Sequence, residues 1–134
     1  MNGIDVDFTE AISNGEMEIV VNMVETGLVD VNVPDRDGDL PLLVAAKKNQ
    51  IAIVEYLLQM GALVDSVDEN GWTALQEAAL CGAEDIVRTL LKWGADKSIR
   101  NREGQHALDI AVQFGHGPVV FVLCEGHDPT IGFF

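Results

Sequence analysis

Glycines stand at positions 38, 71 and 104, each 33 residues from the next. Leu42, Leu75 and Leu108 follow them at the same spacing, then Ala45, Ala78 and Ala111. Ile53, Ile86 and Val119 repeat next, followed by Leu57, Leu90 and Leu123. Gly61 and Gly94 close their units, with His127 in the third place. One glycine or leucine carries little information, but several residue types returning in one register constrain the whole chain. Such a sequence folds as stacked copies of one small unit, because a unit alone cannot bury its apolar face. An earlier copy is offset by 34 residues, with Ala11, Gly15, Ile19, Val20 and Gly27 matching Ala45, Asn49, Ile53, Val54 and Gly61. The loop Val29–Asp37 thus holds one extra residue.

Within each unit the residue types predict two short helices and a turn. Glycine after an Asp-x-x stretch permits the positive φ of a tight turn. Thr73 is placed to cap a helix starting at Ala74, and Pro41 suits a first helical turn, where its missing N–H costs nothing. The pair Ala78-Ala79 allows close helix approach, Leu57-Leu58 and Leu90-Leu91 supply apolar bulk, and Gly61 and Gly94 end their helices in a left-handed conformation. First helices are expected near 7–13, 41–48, 74–81 and 107–114, and second helices near 17–25, 51–59, 84–92 and 118–124. Short hairpins are expected around 30–38, 64–71 and 97–104.

The stretch Asp68-Glu69-Asn70-Gly71-Trp72-Thr73-Ala74-Leu75-Gln76-Glu77-Ala78-Ala79 resembles the D-x-x-G-x-T-P-L-H-x-A-A opening of the ankyrin repeat. Ile86-Val87-Arg88-Thr89-Leu90-Leu91-Lys92-Trp93-Gly94-Ala95-Asp96 resembles its I-V-x-x-L-L-x-x-G-A-D close. The resemblance covers nearly the whole chain and implies an all-α repeat solenoid of about four stacked units including caps, each a helix-turn-helix with a β-hairpin loop. Residues 1–134 are read as a single ankyrin-repeat domain, with repeats at approximately 1–33, 34–66, 67–99 and 100–129 and a tail at 130–134. The second unit departs from the pattern: Leu40-Pro41-Leu42-Leu43 lacks the capping threonine and the histidine, which makes the 34–40 tip the expected flexible one. In the fourth, His106 replaces threonine and is expected to cap. Val24 to Asn32 resembles the pattern of ankyrin asparagine hydroxylation, with Val24 in place of leucine.

Charge narrows the function classes. The formal net charge is −14, and residues 1–33 carry seven acidic residues with no Lys or Arg. Nucleic-acid phosphates and anionic lipid need clustered cations, so neither is an expected partner. No apolar run approaches the roughly 18–20 residues of a membrane-spanning helix. The acidic N-terminus lacks the basic and apolar regions of a secretory signal, which points to the cytoplasm or nucleus. Cys81 and Cys124 are expected as buried thiols rather than a disulfide.

No catalytic signature is visible. His116 follows Gly115 and reads as structural, no histidine pair has metal-ligand helical spacing, and no nucleophile or phosphate-loop motif occurs. Asp35, Asp37 and Asp39 alternate through a turn but lack the bidentate glutamate of a calcium loop, so they read as solvated acids. The expectation is a protein that is not an enzyme and has neither cofactor nor metal.

The resemblance implies recognition of a protein through hairpin tips and the concave face of the first helices. Carried onto this chain, the outward positions are Arg36, Asp37 and Asp39 with Lys47 and Lys48; Glu69, Asn70 and Trp72 with Leu80 and Cys81; and Arg102, Glu103 and Gln105 with Gln113 and Phe114. Trp72, Leu80 and Phe114 are expected to form a shallow apolar strip flanked by Asp39, Glu69 and Glu103. That surface suits one protein partner with basic and apolar character. Four units span about 40 Å at a ~10 Å helix spacing, enough for a standard-size interface. A monomer is expected. The alternative is self-association through the C-terminal edge, where Phe121 and Val122 replace Arg88 and Thr89 and the tail ends Phe133-Phe134. A tail folded back over that helix is the expected resolution.

Overall fold

The computed structural model describes residues 7–125, in which the chain forms eight short helices. The first helices are α1 (Phe8–Ser13), α3 (Pro41–Lys47), α5 (Ala74–Cys81) and α7 (Ala107–Gln113). The second helices are α2 (Met17–Glu25), α4 (Ile51–Gln59), α6 (Glu84–Lys92) and α8 (Gly117–Glu125). Each lies within one residue of its expected span at either end. The helices pair within units, α1 with α2 through α7 with α8, and stack in two rows. One row is α1, α3, α5 and α7; the other is α2, α4, α6 and α8. The architecture is an all-α solenoid.

Residue size explains the rows. Ala45, Ala46, Ala78, Ala79 and Ala111 are fully buried, which lets the first helices stack at close range. Ile53, Leu57, Ile86, Leu90, Val119 and Leu123 bury the inner sides of the second helices. The first-helix caps differ as their sequences do. The Asp7 side chain accepts from the Thr9 N–H, Thr73 accepts from the Gln76 N–H, and Leu40 caps nothing. His106 Nδ1 accepts from the Asp109 N–H at 3.3 Å, while Asp109 Oδ2 accepts from the His106 N–H at 3.1 Å. This is a reciprocal capping box. Nδ1 also lies 3.0 Å from Asp109 Oδ2, a contact that becomes an ion pair only when the ring is protonated.

The expected hairpins are tight turns instead: no strand is formed among the described residues. Two backbone bonds close each tip: an outer one from Asp35 N–H to Asp39 O (2.9 Å), Asp68 N–H to Trp72 O (3.0 Å) and Asn101 N–H to Gln105 O (2.9 Å), and an inner one from the Gly38, Gly71 and Gly104 N–H groups to the carbonyls of Asp35, Asp68 and Asn101. The side chain opening each turn takes two more backbone donors. Asp35 Oδ1 accepts from Asp37 and Asp39, Asp68 Oδ1 from Asn70 and Trp72, and Asn101 Oδ1 from Glu103 and Gln105. Donors spent inside the turn cannot build a ladder. Adjacent tips still join where the Arg102 N–H donates to Asn70 O at 3.0 Å.

Side-chain bonds set the register between units. Thr9 Oγ1 donates to Asp35 Oδ2 at 2.6 Å, reaching into the next unit, and Gln76 Nε2 donates to Ile99 O at 2.8 Å, at the junction with the next unit. Asn32 donates to Gly61 O and accepts from the Leu63 N–H. Gln50 Nε2 donates to Ser13 O at 3.2 Å, and His116 Nε2 donates to Leu80 O at 2.9 Å, which gives His116 a structural task. Both approach a glycine in the preceding unit closely: a Cβ on Gly15 would sit 2.9 Å from Gln50, and one on Gly82 would sit 2.6 Å from His116.

At the C-terminal end the expected apolar edge divides. Val122 is buried, and Phe121 is 64% exposed. His127 and the tail at 130–134 lie outside the described residues, as does the expectation that the tail covers this helix. The thiol expectation is corrected, since Cys81 and Cys124 are free and exposed. Cys81 shares its register with Lys48 and Phe114, which are also exposed. No helix is long and apolar enough to cross a membrane among the described residues.

Candidate protein-binding face

The 33-residue register arranges the tips and first helices as a grid. Along one row the tip residues are Asp39, Trp72 and Gln105; along the next, in mid-helix, come Val44, Glu77 and Ile110. Lys47, Leu80 and Gln113 form a third row, and Lys48, Cys81 and Phe114 a fourth. Tip and helix meet on one surface. Gln105 Nε2 donates to Gln113 Oε1 at 3.1 Å, joining the tip row to the third row directly. One unit earlier but one, Asp37, Asp39, Val44, Lys47 and Lys48 line a single cleft of about 290 Å³, closed on its other side by Glu10 and Ser13 of α1.

Most of the expected outward residues face solvent. Arg36, Asp37, Asp39, Lys47, Glu69, Asn70, Arg102, Glu103 and Gln113 are exposed, and Phe114 is 51% exposed. Gln105 is half-buried by its bond to Gln113. The Glu69 carboxylate leans over the preceding tip, so that a Cβ on Gly38 would lie 3.3 Å from it. Trp72 and Leu80 require correction: both are half-buried and packed against the core rather than free. The cost of leaving an indole in water is avoided by that packing. The apolar strip is therefore exposed at Phe114 and recessed at its other two members.

The three aspartates of the second tip converge, with ligand oxygens of Asp35, Asp37 and Asp39 within 4.8 Å of one another. Asp35 has both oxygens committed, Oδ1 to backbone N–H groups and Oδ2 to Thr9. Burial opposes its charge, but the Thr9 hydroxyl and the Asp39 and Asp37 N–H groups, aided by Arg36, hold its carboxyl below the usual range. The cluster is thus the inside of a turn held by a carboxylate. Although Cys81 is exposed as a residue, partial desolvation of its thiol and then the Glu77 charge push it the other way, so it is less acidic than usual. Its Sγ lies 3.4 Å from Lys47 O.

One residue of this face escaped the sequence reading. Glu77 is only 8% exposed although it carries a carboxylate, and no hydrogen bond or ion pair engages it among the described residues. Burial raises it above the ordinary glutamate range, Lys47 counteracts, and Asp68 and Asp39 add to the rise. The available signal was its row: an acid between Val44 and Ile110, both buried and apolar.

Comparison with known proteins agrees with the repeat register. The profile described as ankyrin repeats, in three copies, matches residues 8–101 and 64–132. The chain is 40% identical over 107 residues to the rat ankyrin repeat and SAM domain-containing protein 6, covering 79% of this chain and 12% of that protein. It is 33% identical over 127 residues to a putative ankyrin repeat-containing protein of Treponema pallidum (strain Nichols), covering 93% of this chain and 42% of that one. It is also 40% identical over 79 residues to the human NAD-capped RNA hydrolase NUDT12, covering 59% of this chain and 17% of that protein. The chain therefore spans less than half the length of each of these relatives. Of the three, one is named for an enzymatic activity and two for their repeats, and the family shown for this chain is the ankyrin repeat, a fold for interaction rather than for catalysis.

Proposed function

Because this chain belongs to the ankyrin-repeat family, we propose that it is a protein–protein interaction module, an adaptor or inhibitor taking one protein partner on its tips and first helices. The observation that carries the reading is the grid, on which three successive tips and the ends of α3, α5 and α7 offer charged, polar and aromatic side chains from one surface. Phe114 is an exposed aromatic at its edge, and Trp72 a recessed one at its centre. Large aromatic side chains supply a disproportionate share of interface energy. The net charge of −14 favours a partner that presents basic and apolar groups.

The second reading, self-association through the C-terminal edge, draws on Phe121 of α8 at 64% exposure and Val112 of α7, in the same unit, at 60%. One capture experiment separates the two. Tagged wild type, Trp72→Ala/Phe114→Ala and Phe121→Glu are compared for what they retain from a lysate of the source organism. A partner lost only with the double variant supports the tip and first-helix face. A partner, or a second copy of the chain, lost only with Phe121→Glu supports the edge instead.

A further inference from the structure

Glu77 occupies the middle of the grid, and its surroundings pose a chemical problem. A carboxylate removed from water is costly unless it is paired or hydrogen-bonded. Glu77 is more than nine-tenths buried and has neither kind of partner among the described residues. Its register neighbours Val44 and Ile110 are apolar and offer no donor. Lys47 is the cation whose field reaches it, yet the ammonium remains exposed and forms no ion pair there. Acids surround the position instead: Asp39 and Asp68 both act on it from the tips. The free chain thus holds a largely buried, unpaired carboxyl group, its oxygens still reachable from the surface, at the centre of its proposed binding face.

That position faces the binding surface for a register reason. Val44, one unit earlier, lines the cleft with Asp39 and Lys47, so the same helical position on α5 addresses the same side. The bond from Gln105 to Gln113 shows that a tip residue reaches along the first helix past mid-helix. Along the chain Glu77 lies between Trp72, in the tip just before α5, and Leu80, near the end of that helix.

We propose that Glu77 anchors a lysine side chain of the protein partner, the ammonium meeting the carboxylate and the alkyl stem lying along Trp72 and Leu80. This rests on the protein-binding reading above. Lysine fits better than arginine for a geometric reason. A nearly enclosed carboxylate offers a narrow approach, which suits a compact ammonium on an unbranched stem; a planar guanidinium seeks two parallel bonds from an open fork. The apolar flanks accept the four-carbon stem, and the surrounding acids keep the field attractive on approach. Pairing with the ligand supplies what the free chain lacks, so the energetic cost of the lone carboxylate is relieved only when the right side chain arrives.

The test is a selection from a random twelve-residue peptide library on the intact chain and, separately, on Glu77→Gln, followed by fluorescence polarisation of the peptide most enriched on wild type. The expected result is lysine enriched at one position on wild type and not on Glu77→Gln. Acetylating that lysine should weaken binding at least tenfold, as should Glu77→Gln, and the two changes together should cost little more than either alone. The acetylated peptide leaves the protein unaltered, so the test does not depend on how the variant folds. Equal lysine enrichment on both proteins, an equal preference for arginine, or indifference to acetylation overturns the proposal. Peptides lacking lysine but lost with Trp72→Ala/Phe114→Ala would overturn it while leaving the protein-binding reading intact. A selection that yields no binder, or only binders insensitive to those two substitutions, counts against both.

Discussion

Glycine at the end of each first helix is decided by two conditions at once, and position 49 separates them. Gly15, Gly82 and Gly115 have φ near +71°, and Asn49 holds the same turn at φ 58°. Positive φ alone is thus tolerable for asparagine. Space is the second condition. Gly15 faces Gln50 and Gly82 faces His116, whereas the residue in that register beyond Asn49 is the small Ala83. Gly82→Ala should therefore cost more than Gly27→Ala, which combines a similar φ with open space. The first should lose about 2–3 kcal/mol and the second about 1–2 kcal/mol, from left-handed strain with and without a clash. Urea melts of the two variants check the order. The tip acids give a second residue-scale test. Asn101 already performs in the fourth unit the turn-holding task of Asp35 and Asp68. Asp68→Asn should leave stability within about 0.5 kcal/mol, while Asp68→Ala, orphaning two backbone donors, should cost about 1–3 kcal/mol. A third test concerns pH. The Glu77 carboxyl titrates above the ordinary glutamate range in the folded chain, so the folded state holds its proton where the unfolded state has released it. This contribution favours folding at low pH and is lost as pH rises past the ordinary glutamate value toward the folded one. Glu77→Gln should thus match wild type in acid and become the more stable protein near neutrality, read as the difference between their thermal midpoints across pH.

At the scale of elements, the stack depends on small residues between first helices and large ones under the second. Ala79 is fully buried on α5. Ala79→Leu should separate α5 from a neighbouring first helix at a cost of about 1–3 kcal/mol by overpacking. Leu90→Ala, opening a cavity beneath α6, should cost about 2–5 kcal/mol. Chemical denaturation measures both. Nearly all of this level was legible in the sequence, because helix positions follow from residues that recur at fixed spacing: Gly71, Leu75, Ala78, Ile86 and Leu90 constrain one another. The candidate face was less legible. Which side chains leave the stack depends on neighbours 33 residues away, and a motif read along one unit does not show them. Trp72 looked exposed because its slot follows a turn glycine, but core packing claims it. Glu77 looked like an unassigned motif position until set beside Val44 and Ile110. The strands expected in the hairpins failed for a local reason: Asp35, Asp68 and Asn101 draw the backbone donors inward.

For the molecule as a whole, the proposed partner is a protein with basic and apolar groups, matched to the net charge of −14 and to a surface assembled from three successive tips. Its association should weaken with salt, because exposed charges lose their reach as the Debye length shrinks from about 10 Å at 0.1 M to about 3 Å at 1 M. The most direct measurement of where the partner sits is hydrogen–deuterium exchange of the chain alone and in complex with its captured partner. Protection is expected at the tips 35–39, 68–72 and 101–105 and along α3, α5 and α7, with α8 unchanged. Protection confined to α8, with the tips exchanging as in the free chain, would place the partner on the C-terminal edge and contradict the assignment of the first-helix face.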